Sequence, residues 1–465
     1  MTLSPGPESA LRGRRIALAG FGAENRAVAR WLHAHGLPFS VCDRQEPKDQ
    51  EAMQEEFRAA LEGWHLGPDH LEALARFDVV FRTPGISALH PALCRAREHG
   101  AEITSQTRLF LDLCPAPILG ITGTKGKGTT TSLVAEALRD GPYRRVLVGG
   151  NIGLPPLAFL EELTAEDLVI LELSSFQLMD WTRSPHLALV LSVTQDHLDY
   201  HATVEEYHRA KESLCRYQGA GDLLMVNADC PRSRAFARGS AAQVHSFSAR
   251  GEVARGAWVA DGVIWLRLEE DDPPRPVCPV TDLSLRGRHN QANAAAAALA
   301  AAIAGASVPR IAAGLARFQG LEHRLERVGE YRGVTYYNDS LATTPDSAIA
   351  ALESFDEPLV WIAGGSAKGA DFSALGTVAA GRAIRAAILI GQEAPRLQAA
   401  LTGAGGVRGE IVTNCTSMAE AVAEARSRAR PGEVVLLSPA CASFGMFASY
   451  RERGNEFKRL VREDD

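Results

Sequence analysis

The stretch from residue 117 to 138 constrains this chain more than any other. An apolar run, Pro117-Ile-Leu-Gly-Ile121, leads into Thr122-Gly-Thr-Lys-Gly-Lys-Gly-Thr-Thr-Thr131, and a helical pattern follows from Ser132. Strand, glycine-rich turn, lysine, hydroxyls and helix, in that order, form a cradle for phosphate. Glycines let backbone N–H groups turn towards an anion, and the helix N-terminus adds partial positive charge. The spacing departs from the common phosphate-loop pattern: Gly120 to Gly126 is one residue too long, and Gly128 stands where a hydroxyl should follow Lys127. The hydroxyl reaching Mg²⁺ is then Thr129 or Thr130. The reading places ATP, or another nucleoside triphosphate, on Gly123, Thr124, Lys125, Gly126, Lys127, Gly128, Thr129 and Thr130. A strand that feeds a helix in this way also predicts an α/β fold with a parallel sheet.

Bulk properties exclude several classes. At 465 residues the chain exceeds one ordinary core, so more than one domain is expected. A net charge of −7 argues against nucleic acid as a partner. The eight cysteines are scattered, with no C-x-x-C spacing for zinc and no dense disulfide framework. No basic region followed by an apolar core opens the chain, and the longest apolar stretch, residues 294–306, is mostly alanine and too short for a bilayer. It reads as a buried helix. The expectation is a cytoplasmic, monomeric protein with no membrane insertion.

Three sections follow along the chain. Residues 1–107 alternate strand and helix signals, with strands at 15–20, 38–42 and 77–81. Gly20-Phe-Gly22 and Asp43 imitate a dinucleotide fingerprint, but Asn25 takes the place of the third glycine. Some other nucleotide, or a sugar nucleotide, on the same scaffold suits the pattern better than NAD. Residues 108–320 hold the phosphate loop, an apolar strand at 168–173 with Glu172 inside it, and a strand at 187–192 that ends near Asp196 and His197. A lone buried carboxylate is costly, so Glu172 reads either as a hydrogen-bonded core acid or as a Mg²⁺ ligand facing the loop. Lys211 lies on a helical pattern starting near Val204, where composition alone predicts a solvated lysine. Residues 321–465 alternate strands and helices again.

These residues, taken together, resemble the Mur ligases along nearly the whole chain. The most specific pieces are the phosphate loop, Gly150-Asn-Ile-Gly153, Leu171-Glu-Leu-Ser-Ser-Phe-Gln177, Asp196-His197, His289-Asn290 with Asn293, His323-Arg324 and Asn338-Asp-Ser340. Lys368-Gly-Ala-Asp-Phe372, Ser438-Pro-Ala-Cys-Ala-Ser443 and Arg453-Gly-Asn-Glu-Phe457 complete the set. The resemblance implies three domains. A Rossmann-like unit (1–107) binds a UDP substrate, a central ATPase (108–320) follows, and a Rossmann-like C-terminal domain (321–465) brings the amino acid.

The resemblance also implies roles. Gly22, Asp43, Arg44, Gly85, Asn151 and His197 bind UDP-N-acetylmuramoyl-L-alanine. Lys127 and Thr129, with Glu172, His197 and a carbamylated Lys211, hold the ATP phosphates and two Mg²⁺ ions. Asn290 and Asn293 contact adenine, and Arg324 and Asp339 reach the nucleotide from the third domain. Thr343, Lys368, Ser443 and Tyr450 line the amino-acid site. Lys127, His197, Lys211, Arg324 and Asp339 form the catalytic set, with His197 or Asp339 as the base. The reaction implied is ATP-dependent amide formation through an acyl phosphate, with D-glutamate preferred and L-glutamate as the alternative. Leu341 departs from the pattern, because lysine is usual there. A phosphate-loop ATPase of non-ligase type and a nicotinamide oxidoreductase are the competing readings.

Overall fold

The computed structural model describes residues 7–463 apart from 48, 199, 367, 368 and 404. Its strands form three sheets, and each section of the sequence carries one. The first contains β1 (Ile16–Ala19), β2 (Phe39–Asp43), β3 (Leu61–Leu66), β4 (Val79–Arg82) and β5 (Glu102–Thr104). All pair in parallel, in the order β3-β2-β1-β4-β5. The order reverses beside β1, which opens a crevice at the carboxyl ends of β1 and β4.

The second sheet contains β6 (Ile118–Thr122), β7 (Val146–Gly150), β8 (Leu168–Glu172), β9 (Leu187–Val190), β10 (Leu223–Asn227) and β11 (Gln243–Ser248). It continues through β12 (Gly256–Ala260), β13 (Val263–Arg267) and β14 (Arg275–Pro279), in the order β14-β13-β12-β11-β10-β9-β6-β8-β7. From β7 to β12 the pairing is parallel, as expected; β13 and β14 add an antiparallel extension that the strand–helix reading does not foresee. The apolar strands next to β6 are buried throughout, as continuous Val/Ile/Leu runs in a covered parallel sheet should be. Register sets the chemistry here: Ile121 lies opposite Glu172 and Thr122 opposite Val190, so Glu172 and the loop after β9 flank the phosphate loop.

The third sheet contains β15 (Glu326–Tyr331), β16 (Val334–Asn338), β17 (Leu359–Gly364), β18 (Ile384–Ile390), β19 (Glu410–Val412) and β20 (Val434–Leu437), ordered β15-β16-β20-β17-β18-β19. Only the β15–β16 pair is antiparallel.

The chain forms two compact units, Met1–Pro279 with Ala292–Leu315, and Val280–Gln291 with Ala316–Asp465. Within the larger unit, one apolar cluster runs from Leu11 and Phe39 through Phe110 and Phe159 to Leu224, so the first two sheets share a core. The alanine-rich helix spans Arg288–Ile303, with residues 294–301 fully buried. Among the described residues no helix is long and apolar enough to cross a membrane.

Candidate functional site

The phosphate loop joins β6 to the helix Lys127–Leu138. Gly126 caps that helix at φ +85°, a left-handed conformation that glycine adopts without strain. A Cβ at this position would lie 2.5 Å from Asn293 Oδ1, so Asn293 packs directly against the loop. Lys127 Nζ donates to the carbonyls of Gly123 (3.1 Å) and Thr124 (3.2 Å), folding back over the loop. Thr124 Oγ1 lies 2.8 Å from Tyr207 Oη and accepts from the Thr194 N–H at 2.9 Å. Lys125 reaches outward to Asp196 at 3.3 Å. Gly128 is half-buried, and Thr129 and Thr130 are buried on the first turn of the helix.

Two buried ionisable groups flank this loop. Lys211 is only 2% exposed, which overturns the solvated-lysine expectation. Its amine donates to the Gly123 carbonyl at 2.9 Å and stands 4.8 Å from the centre of the Tyr207 ring. The helix Val204–Glu212 explains why: Tyr207, Ala210, Lys211 and then Leu214 form one inward stripe at helical spacing. Burial holds the Lys211 amine well below the ordinary lysine range. The nearby Lys127 charge adds to that effect, against the opposing pull of Asp196 and Glu172. Glu172, 3% exposed, accepts from Asn151 Nδ2 at 2.8 Å through Oε1, while its Oε2 has no hydrogen-bond partner. A half-satisfied buried carboxylate next to a phosphate cradle suits a cation better than a purely structural acid. Among the described residues no group of three His, Cys, Asp or Glu is gathered to hold a metal by itself.

His197 adopts φ +53° on the loop after β9, and its side chain is 48% exposed. Its ring packs against Phe176 at 4.9 Å. Asn151 follows β7 and is otherwise exposed. On the first sheet, Asp43 ends β2 and accepts from the Phe21 N–H at 2.6 Å, which ties it to the loop carrying Gly22. Gly22, Arg44 and Gly85 are exposed around the same crevice. Asn25 cross-braces the floor: its amide donates to the carbonyls of Ala19 (3.1 Å), Gly20 (2.7 Å) and Phe81 (3.0 Å). That amide occupies the position of a dinucleotide-type glycine and fixes β1 to β4.

In the smaller unit, Asn290 is buried and donates to the Arg286 carbonyl at 2.8 Å. Asp339, just past β16, accepts from Ser438 Oγ at 2.9 Å and the Leu325 N–H at 3.1 Å. Burial pushes its carboxyl up to about 7, against those hydrogen bonds and the charge of Arg324. Thr343 lies in the loop before the helix Pro345–Leu352. Ser443 is buried just beyond β20, and Tyr450 opens the helix Tyr450–Arg462. Arg453 binds this region together, donating to Ser340 Oγ (3.0 Å), the Ser340 carbonyl (2.8 Å) and the Cys441 carbonyl (3.1 Å). Lys368 lies outside the described residues. The sequence reading missed Tyr207, whose inward spacing with Lys211 was its visible signal, and it singled out the Arg453 segment without giving Arg453 this bracing role.

The sequence matches the Mur ligase MurD-like N-terminal domain over residues 14–105, the Mur ligase middle domain over 121–301 and the Mur ligase glutamate ligase domain over 323–441. The UDP-N-acetylmuramoylalanine–D-glutamate ligase of Symbiobacterium thermophilum is 42% identical over 450 residues, 96% of this chain and 97% of the relative. The protein of that name from Acetivibrio thermocellus is 38% identical over 457 residues, 97% of each chain. The chain belongs to the Mur ligase family. Solved structures agree on the fold of this Mur ligase. The UDP-N-acetylmuramate–alanine ligase MurC of Thermotoga maritima superposes with TM-score 0.56 at 18% identity, covering 97% of this chain and 100% of that one. The MurF ligase of Thermotoga maritima, solved in complex with ADP, gives 0.57 at 16% identity, covering 98% and 96%.

Proposed function

We propose that this Mur ligase uses ATP to join D-glutamate to UDP-N-acetylmuramoyl-L-alanine, giving ADP and phosphate, in peptidoglycan precursor synthesis in the cytoplasm. The observation that carries the reading is the likeness, over 96–97% of both chains, to relatives named for that reaction. The buried Glu172 and Lys211 beside the phosphate loop support it. In this reading residues 1–107 bind the UDP substrate through Gly22, Asp43, Arg44 and Gly85, residues 108–320 bind ATP, and residues 321–465 bring glutamate through Thr343, Lys368, Ser443 and Tyr450.

The substrate carboxylate attacks the γ-phosphorus of ATP, forming an acyl phosphate and releasing ADP. Repulsion between carboxylate and triphosphate is the obstacle. Lys127 and the helix N-terminus behind Gly126 offset it with fixed positive charge. Bound Mg²⁺ would supply further charge neutralisation, and Thr129, Glu172, His197 and a carbamylated Lys211 would hold it; Glu172 Oε2 has no hydrogen-bond partner. Lys211, whose amine burial holds well below the ordinary lysine range, suits capture of CO₂: the deprotonated amine adds to carbon, one proton leaves, and a carbamate anion forms. The neutral amine of glutamate then attacks the acyl carbonyl, the tetrahedral adduct collapses, and phosphate departs. Asp339 or His197 takes the amine proton. Asn290, Asn293 and Arg324 complete the nucleotide contacts.

The test is phosphate release from ATP, Mg²⁺ and UDP-N-acetylmuramoyl-L-alanine with D-glutamate, L-glutamate or neither. Release with D-glutamate alone is expected. Release that requires L-glutamate, or that ignores the amino acid, contradicts the reading. Glu172→Gln lowers turnover by about a hundredfold or more, as loss of one preorganised charge contact does, without lowering the melting temperature.

A further inference from the structure

Arg82 is the last residue of β4, is fully buried, and was singled out by no sequence motif. Its guanidinium joins three segments of the larger unit. Nη2 donates to the Phe176 carbonyl at 2.7 Å, in the short helix Ser175–Leu178 after β8, and Nε to Asp180 Oδ2 at 2.9 Å, just past that helix. Nη1 donates to the Ile86 carbonyl at 2.5 Å, in the crevice loop of the first sheet, and to Tyr200 Oη at 3.0 Å. Tyr200 closes the triangle. Its hydroxyl donates to the Pro84 carbonyl at 2.8 Å, with the Ile86 carbonyl 3.0 Å away as the alternative acceptor, and its ring packs 3.9 Å from Phe176, the residue against which His197 rests.

A buried guanidinium needs a counter-charge, and Asp180, 2% exposed, provides it. Neutrality alone does not require the remaining donors to be spent on the carbonyls around Gly85 and on the segment carrying His197. We propose that Arg82, acting through Tyr200, is a positioning residue for the nucleotide substrate, holding the 83–86 loop in register with Tyr200 and with Phe176, on which His197 rests. The inference rests on the reading that Gly85 and His197 both bind that substrate. Arg82 reaches these partners from three nitrogens of one planar fork, whereas the three donors of an ammonium diverge from a single nitrogen and do not span them.

The test uses Arg82→Lys, which keeps Asp180 paired, and Tyr200→Phe, which keeps the ring and removes the hydroxyl. Calorimetric binding of UDP-N-acetylmuramoyl-L-alanine and steady-state kinetics are measured on both, alongside the wild type. Arg82→Lys weakens binding and raises KM for that substrate by about tenfold, and Tyr200→Phe by about fivefold, the scale of one or two hydrogen bonds lost; KM for ATP stays within about twofold in both. An unmoved substrate KM in both variants overturns the proposal, as does a rise in both KM values together with a lower melting temperature, which is the mark of a purely structural bracket. Should the wild type itself bind no UDP-sugar, the parent reading falls first and this inference with it. Should Arg82→Lys fail to fold, Tyr200→Phe alone decides.

Discussion

Asp339 shows how one residue's surroundings set its chemistry. Burial between Ser438 and Leu325 pushes its carboxyl from the ordinary 3.8 up to about 7. The native state therefore holds this proton more tightly than the unfolded state. As pH rises through the window from 3.8 to about 7, stability contributed at this site falls. Below the window both states are protonated and the penalty is absent. Thermal unfolding of wild type and Asp339→Asn at about pH 5 and about pH 8 checks this: the wild type loses ground to the variant as pH rises, and a constant gap contradicts the assignment. Asp339 was legible only through the resemblance, because nothing local in Asn338-Asp-Ser340 says that burial will be complete. Lys211 is the stronger instance. Its inward position follows from the stripe it shares with Tyr207 and Leu214, and a lysine in an apolar stripe is a signal that composition conceals.

At the scale of elements, the phosphate loop was legible because its geometry is local. Strand, turn and helix are adjacent in sequence, and Gly126 answers a backbone requirement that no other contact has to supply. Gly126→Ala combines positive φ with a Cβ 2.5 Å from Asn293 Oδ1. Destabilisation of about 1–3 kcal/mol is expected, with a raised KM for ATP, read from urea melts and phosphate release. Unchanged ATP binding with full stability contradicts the cradle. The hairpins went unseen for a different reason. β12–β13 turns at Asp261-Gly262 (φ +51° and +71°) and β15–β16 at Arg332-Gly333 (φ +53° and +77°), both two-residue turns with positive φ at each position. The Asp-Gly pair is a recognised hairpin signal that a reading fixed on strand–helix alternation passes over. The lateral pairing of β16 with β20, Thr335 opposite Val434, was never local and could not be read.

For the whole molecule, the three sections each own a sheet, yet the first two are cemented into one unit by a shared apolar core and by the Arg82–Asp180 pair. No linker or shift in composition marks this, since burial between distant segments leaves no trace in either one alone. Scanning calorimetry is expected to show two transitions, because each unit carries its own core. Mg²⁺ and ADP should raise the one belonging to the unit that contains the phosphate loop; one transition that shifts as a whole contradicts this. The buried Lys211 has a consequence for heredity as well as for chemistry. An amine kept from water beside another cation lowers the stability of the fold, so apolar replacements there make a hardier protein and an inert one. A laboratory population selected for heat resistance alone would shed this lysine early. Its survival depends on growth that requires the product.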